Sequence, residues 1–196
     1  MDDHGSFSKA WADTITAMLA MLVCVAALML PHVAVKVKAA AEATTQPGNV
    51  IVEVRWPDDA DVDVDTWVLG PNDKPVGYSA KAGNLFNLLR DDLGKRVDDS
   101  NLNYEVAYSR GARAGRYTVN IHLYRNLGWP LPLPVTVVAS VKTNPDERAV
   151  IACEQKVNLD REGQELTVCR FELDAAGRLV PGSVDTVQVP LRNYRA

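Results

Sequence analysis

The stretch from Lys9 to Pro31, KAWADTITAMLAMLVCVAALMLP, constrains this chain more than any other. Its central part is apolar, and only Thr16 and Cys24 are even weakly polar between residues 15 and 30. A helix over residues 11–31 rises about 30 Å, which is the thickness of a bilayer's hydrocarbon core. The sequence therefore predicts a single transmembrane α-helix here.

One side of this predicted helix carries small side chains. At about 100° per residue, Asp13 falls in one sector with small or weakly polar residues. These residues are Thr16, Ala17, Ala20, Cys24 and Ala27. Because small side chains let helices approach closely in lipid, the sector is predicted to be a helix-packing face, with Asp13 on it.

A carboxylate inside a membrane span is costly, by roughly 2.5–3.5 kcal/mol at mid-bilayer and less near an end, so it usually faces a partner or a water path. The run Trp11 to Met18, WADTITAM, is similar to the aromatic-Ala-Asp entry of the flagellar stator B subunit, which small residues and Met follow. It thus resembles the B subunits of ion-driven membrane motors, which include the flagellar stator B subunit, ExbD, TolR and the Zorya anti-phage B subunit. The resemblance covers about twenty residues.

This resemblance implies a membrane-anchored B-type subunit in which Asp13 carries a proton or a sodium ion. Two copies would pair through the helix inside a ring of multi-span A-type subunits, and the C-terminal domain would couple ion flow to a load. Two alternatives stay open for the N-terminal segment. In the first, Asp13 is a solvated acid at the start of the helix, where its charge suits the helix dipole. In the second, the segment is a signal peptide that is cleaved near residues 39–41.

Four segments follow from composition and patterning. Residues 1–10 form a cytoplasmic tail, 11–31 the transmembrane helix, 32–48 a linker and 49–196 one folded domain outside the cytoplasm. The net charge is −4, and no basic patch stands out, which argues against nucleic acid as a partner. No catalytic motif is visible either, so an enzyme is not expected.

From residue 50 onward the pattern changes to short alternating runs separated by turn residues, which predicts an all-β antiparallel sandwich. The predicted strands are Val50–Trp56, Val62–Leu69, Asn103–Tyr108, Gly115–Tyr124, Leu133–Val141, Ala149–Leu159, Glu165–Leu173 and Val184–Leu191. Residues 84–93 are weakly helical or a long loop. The runs DVDVDTWVLGPNDKPVGYS, ARAGRYTVNIHLYRN and PLPVTVVASV look like those of β-sandwich domains of bacterial surface proteins.

The cysteines bear on localisation. Cys153 and Cys169 flank a turn signal, so a hairpin there would bring them together as a disulfide, unless both are free thiols. A disulfide indicates an oxidising compartment and favours a single-pass inner-membrane protein with a periplasmic domain. Lys36 and Lys38 argue against this orientation, because the positive-inside rule would place their side in the cytoplasm.

An acidic run offers the clearest candidate ligands. In a strand, Asp61, Asp63 and Asp65 share one face, and the intervening valines face the core. The sequence leaves two interpretations, a calcium site completed by acids at 91, 92, 98 and 99, or a solvated strand face. The alternative function is a membrane-anchored β-sandwich binding module without ion transport, which binds its ligand with or without calcium. His122 is expected to be a hydrogen-bonded strand histidine rather than a ligand or base.

Overall fold

We describe the chain from a computed structural model, in which residues 11–25, 27–28, 48–93, 102–144 and 147–194 are placed. The chain divides into two compact units, Met1–Glu42 and Ala43–Ala196. The predicted tail at 1–10, nearly all of the predicted linker and the end of the predicted span at 29–31 lie outside the described residues.

The first unit contains a helix, which includes residues 11–25 and continues at 27–28. Within the helix, the hydroxyl of Thr16 donates to the carbonyl of Ala12 at 2.7 Å. Its large apolar side chains are exposed, with Met18, Met21 and Leu22 each about 70% accessible. Among the described residues, no helix combines the length and the apolar character that crossing a membrane requires.

The second unit contains two antiparallel sheets. Its strands are β1 Val50–Arg55, β2 Val62–Leu69, β3 Phe86–Arg90, β4 Tyr104–Ser109, β5 Gly115–Asn126, β6 Leu133–Val141, β7 Val150–Leu159 and β8 Glu165–Leu173. Sheet A has the order β3-β4-β1-β6-β7, and sheet B has the order β2-β5-β8. All strand pairs are antiparallel, so the predicted β-rich architecture is confirmed.

The core lies between the inner faces of the two sheets. Alternate residues of each strand enter it, because side chains on a strand point to opposite faces. In β6 these are Leu133, Val135, Val137, Ala139 and Val141, and in β5 they are Tyr117, Val119, Ile121 and Leu123. Tyr117 and Phe171 stack with their ring centroids 5.1 Å apart, which joins β5 to β8 within the core.

Seven of the eight predicted strands are present, with ends that differ by no more than two residues. The helix-or-loop prediction for residues 84–93 was wrong, because this segment contains β3, which pairs with β4 and buries Phe86 and Leu88. The predicted strand at 184–191 was also wrong. That segment runs beside β8, where Asp185 forms an isolated bridge with Arg170. The backbone of Val189 also exchanges hydrogen bonds with the side chain of Thr167.

The cysteines join the two sheets. Cys153 on β7 and Cys169 on β8 form a disulfide with their Cα atoms 6.4 Å apart. The predicted hairpin was wrong, because β7 pairs with β6 in sheet A and β8 pairs with β5 in sheet B. The turn at 160–164 therefore carries the chain from one sheet to the other, and the disulfide closes the β7–β8 edge of the sandwich.

The connection from β2 to β3 covers the outer face of β2. Gly77 lies against the Trp67 ring so closely that an added Cβ would come within 2.5 Å of it, which explains the glycine. Tyr78 meets the same ring edge-on, with the centroids 5.6 Å apart. As a result β2 is buried on both faces, and the acids on its outer face are shielded from water.

Removing the inter-sheet disulfide is expected to destabilise the sandwich. The cross-link closes a loop of 16 residues, and constraining such a loop contributes about 3 kcal/mol. The double variant Cys153→Ala/Cys169→Ala should therefore unfold at a lower urea concentration, as followed by tryptophan fluorescence. Cys24→Ala, which removes the exposed cysteine of the helix, is the matched control. Equal midpoints for the two variants would contradict this account.

Candidate functional site

Three carboxylates from three separate segments meet beside the β2 edge of the sandwich. Asp65 lies on β2, Asp91 directly follows β3, and Glu105 lies on β4. One oxygen from each side chain lies within 4.8 Å of the others. Asp65 and Glu105 are buried, and the side chain of Asp91 is only 9% exposed. We call these three residues the carboxylate cluster.

Glu105 connects the two sheets at this edge. It pairs in register with Val54, whose side chain lies in the core, and it is fully buried. Its Oε2 accepts a hydrogen bond from the backbone N–H of Thr66 at 2.6 Å, and its Oε1 accepts one from the N–H of Asp92 at 3.3 Å. A sheet A side chain thus satisfies a backbone donor on the edge strand of sheet B, where no further strand pairs.

Asp65 lies on the outer face of β2 and contacts the neighbouring strand. Its Oδ2 lies 2.8 Å from Nδ1 of His122 on β5, and both side chains are almost completely buried. The expectation that His122 is a hydrogen-bonded strand histidine is confirmed at this nitrogen. Its other ring nitrogen, Nε2, is buried without a hydrogen-bond partner in the described part of the chain.

Asp63 precedes Asp65 on the same face and is equally buried. Burial, together with the negative charge of Asp65, raises the pKa of Asp63 to about 7. The guanidinium of Arg125, 3.7 Å away, opposes this shift. Oδ1 of Asp63 is buried and has no hydrogen-bond partner among the described residues.

The cluster is only partly neutralised by cations. Lys81 lies 2.7 Å from Oδ2 of Asp91, but its side chain is 57% exposed. Arg90 lies 3.4 Å from Asp92. Glu105 has no cationic partner in the described residues, and burial raises its pKa well above the usual range. Two full charges within 4.8 Å repel by about 3 kcal/mol at an effective dielectric of 20, so the cluster requires either protons or a bound cation.

The predicted ligand set Asp61, Asp63 and Asp65 is only partly brought together. Asp63 and Asp65 share a face as predicted, but the face is buried, so the solvated-face interpretation was wrong. Asp61 precedes β2 and does not belong to the cluster. Asp91 was among the acids expected to contribute, and positions 98 and 99 lie outside the described residues.

Sequence reasoning missed Glu105. It is the only charged residue of the run YEVAYS, which has the pattern of an ordinary alternating strand. The alternation gave no signal for it, because Tyr104, Val106 and Tyr108 form the more apolar face of this run, and Glu105 shares the other face with Ala107. In the structure the face of Ala107 enters the core, so the carboxylate of Glu105 is buried and needs a partner.

On the helix, the residues of the predicted packing face do share a sector. Asp13 lies on the described part of the helix, and the helical geometry places it and the predicted packing positions within about 100° of arc. They are Thr16, Ala17, Ala20, Cys24 and Ala27. No cysteine pairs with Cys24, which is exposed.

A groove of about 450 Å³ lies near Trp67, beyond the outer-face acids. Its lining includes the cationic side chains of Lys74 and Arg192 and the rings of Trp67 and Tyr194. One wall of the groove contains Asp73. Its carboxylate accepts hydrogen bonds from the backbone N–H groups of Lys74, Asn84 and Leu85, which fixes that wall. Partial burial acts to raise the pKa of Asp73, but these bonds together lower it below the usual value, and they hold the loop in shape.

Comparisons with protein-family profiles, with characterised proteins and with solved structures found no match to this chain.

The stability of the sandwich is expected to fall as pH rises from about 4 to about 7 when divalent cations are chelated. Folded Asp63 keeps its proton up to about pH 7, whereas the unfolded residue loses it near 3.8. The folded state therefore holds more protons across this window, and raising the pH favours unfolding by up to about 1.4 kcal/mol per unit for one group. Glu105 acts in the same direction.

Urea unfolding between pH 4.5 and 7.5 in EDTA measures this slope. Asp63→Asn removes one of the titrating groups and should flatten the profile, whereas Asp160→Asn on an exposed turn should leave it unchanged. A profile for Asp63→Asn that runs parallel to that of the wild type would contradict the assignment.

Proposed function

We propose that this chain is the single-helix, B-type subunit of an ion-driven membrane complex, with Asp13 as the ion-carrying group. The observation that supports it most directly is the position of Asp13 on a helix, on the same face as a stripe of small residues. A lone acid on a packing face can alternate between a charged, wet state and a neutral, protonated state.

The exposed side chains of the helix support an apolar environment or partner. Nine large hydrophobic residues are between 45% and 71% accessible, which is costly for a helix in water. They are Trp11, Ile15, Met18, Leu19, Met21, Leu22, Val23, Val25 and Leu28. In the proposed complex these residues face lipid and the surrounding multi-span A-type subunits, while the small face pairs with a second copy of the helix.

The proposed membrane segment runs over residues 11–31 and places the sandwich in the periplasm. The disulfide supports this side of the membrane, because such bonds persist in oxidising compartments. The sandwich then receives the movement of the helix pair and passes it to a load. The coupled ion is a proton or sodium, since a single carboxylate can bind either.

A second candidate function is a membrane-anchored binding module, and the groove near Trp67 favours it. Lys74 and Arg192 form no ion pair within the described residues, so both charges are available to a ligand. Charge complementarity indicates an anionic ligand. In a periplasmic setting, carboxylates of the cell wall are the nearest such groups, and the helix then serves only as an anchor.

The ion-carrying proposal is tested by Asp13→Asn, which keeps the shape of the side chain but cannot bind and release a proton. We expect the variant to co-purify from membranes with the same multi-span subunit as the wild type, while ion flux through the complex is lost. Asp3→Asn, in the N-terminal tail, is the matched control and should conduct normally. Undiminished flux in Asp13→Asn, or a purified complex without a multi-span subunit, would refute the proposal.

The binding-module candidate is tested by removing the groove's positive charge. We expect Lys74→Ala/Arg192→Ala to reduce co-sedimentation with purified cell-wall sacculi at low salt by about tenfold, because two charge-assisted contacts are lost. Lys156→Ala, on β7, removes a positive charge outside the groove and should sediment like the wild type. If the double variant and the control sediment equally, the groove is not the binding site.

A further inference from the structure

We propose that Asp65, Asp91 and Glu105 bind a calcium ion that fastens the β2 edge of sheet B to the β3–β4 edge of sheet A. The proposal concerns only the sandwich, so it stands whether or not Asp13 carries an ion. It replaces the ligand set that the sequence suggested with residues from three separate segments.

The spacing of the oxygens fits calcium. Calcium is bound at 2.3–2.6 Å, so two oxygens on opposite sides of the ion are at most about 5 Å apart. The three carboxylate oxygens lie within 4.8 Å of one another, which lets all of them reach one ion. Magnesium binds at 2.0–2.1 Å and demands octahedral geometry, so it would require the three segments to move closer together.

A second observation points to a ligand at this position. Oδ1 of Asp91 is buried and accepts no hydrogen bond from any described residue, although the side chain belongs to the cluster and is 91% buried. A buried carboxylate oxygen without a donor is costly, and coordination of a cation removes that cost. Only the other oxygen of Asp91 is engaged, by Lys81.

The carboxylate cluster has oxygen lone pairs that its hydrogen bonds do not use. Each oxygen of Glu105 accepts one backbone hydrogen bond, and a carboxylate oxygen has two lone pairs, so both keep capacity for a metal. Asp65 gives one oxygen to His122 and retains the other. The protein thus supplies at least three ligand oxygens, and water completes the six to eight that calcium takes.

The charges around the carboxylate cluster suit the exchange of a bound cation with solvent. The acids that face it are Asp63, Asp65, Asp91, Asp92 and Glu105, and the basic groups beside them are Lys81, Arg90, His122 and Arg125. Lys81 is the cation that touches the cluster from the solvent side, with a side chain that is 57% exposed. It can swing away when a divalent ion enters and return when the ion leaves.

The site would close the sandwich at the edge opposite the disulfide. The disulfide joins β7 and β8, which are the last strands of sheets A and B. The carboxylate cluster joins β2 to the segment after β3 and to β4 at the other end of the same two sheets. Calcium would therefore hold the connection between β2 and β3 in place and stiffen the surface that it covers.

The test uses the full-length protein, stripped with EDTA, and calcium chloride as the only added ligand. Calcium should raise the melting temperature and bind with measurable heat, and magnesium at equal concentration should have a smaller effect on both. No calcium response at millimolar concentration, or a magnesium response equal to that of calcium, overturns the proposal.

Two variants with opposite expected effects separate a metal site from a purely structural cluster. Asp91→Asn removes one ligand charge outside the strands and should weaken calcium binding by about tenfold or more. Lys81→Ala removes the competing cation and should strengthen it several-fold. A matched control is Glu154→Gln on the exposed surface of β7. Because Asp91→Asn and Lys81→Ala break the same ion pair, a cluster that only stabilises the fold would respond alike to both, and that result refutes the site.

Discussion

The hydrogen bond from the Thr66 backbone to Glu105 is the contact on which the β2 edge of the sandwich depends. It places a carboxylate in the layer between the sheets and gives the edge strand of sheet B a partner from sheet A. A buried carboxylate must be protonated, paired with a cation or bound to a metal, because an isolated buried charge is too costly. Burial raises the pKa of Glu105 well above its usual range, and the negative charges of Asp91 and Asp65 act in the same direction.

The same constraint explains the packing around the group. The connection between β2 and β3 covers Trp67 and the outer-face acids, and Asp73 holds that connection in shape with three backbone hydrogen bonds. Tyr78 extends this cover by packing against Tyr124 on β5, with their centroids 6.1 Å apart. The acid cluster and the groove near Trp67 therefore share one structural support.

Alternating apolar residues were enough to predict seven strands, because each of these strands faces the core on one side. β3 was missed because its leucines follow one another with helix-like spacing, and only pairing with β4 reveals which of them face inward. The partner of each strand could not be predicted either. The turn between β7 and β8 has the local signals of a hairpin, but both strands find their hydrogen-bond partners elsewhere.

The candidate site was predictable only where it is local in the sequence. Asp63 and Asp65 share a face because a strand places alternate residues on one side, and that required no tertiary information. Their burial depends on a connection that starts several residues later, and Glu105 reaches them from the other sheet. For the helix, 3.6-residue periodicity alone places Asp13 on the small face, so its geometry follows from the sequence while its environment does not.

The position of β1 has a mechanical consequence. It is the central strand of sheet A, and Asn49 just before it is already bonded to both sides, through the carbonyl of Ser109 and the N–H of Lys142. Force that enters along the chain from the N-terminal side therefore acts along a strand held by two neighbours. To pull β1 out lengthwise, all of its hydrogen bonds must be sheared together instead of unzipping one by one. The chain thus enters the sandwich through a strand that is held on both sides along its length, by β4 and by β6.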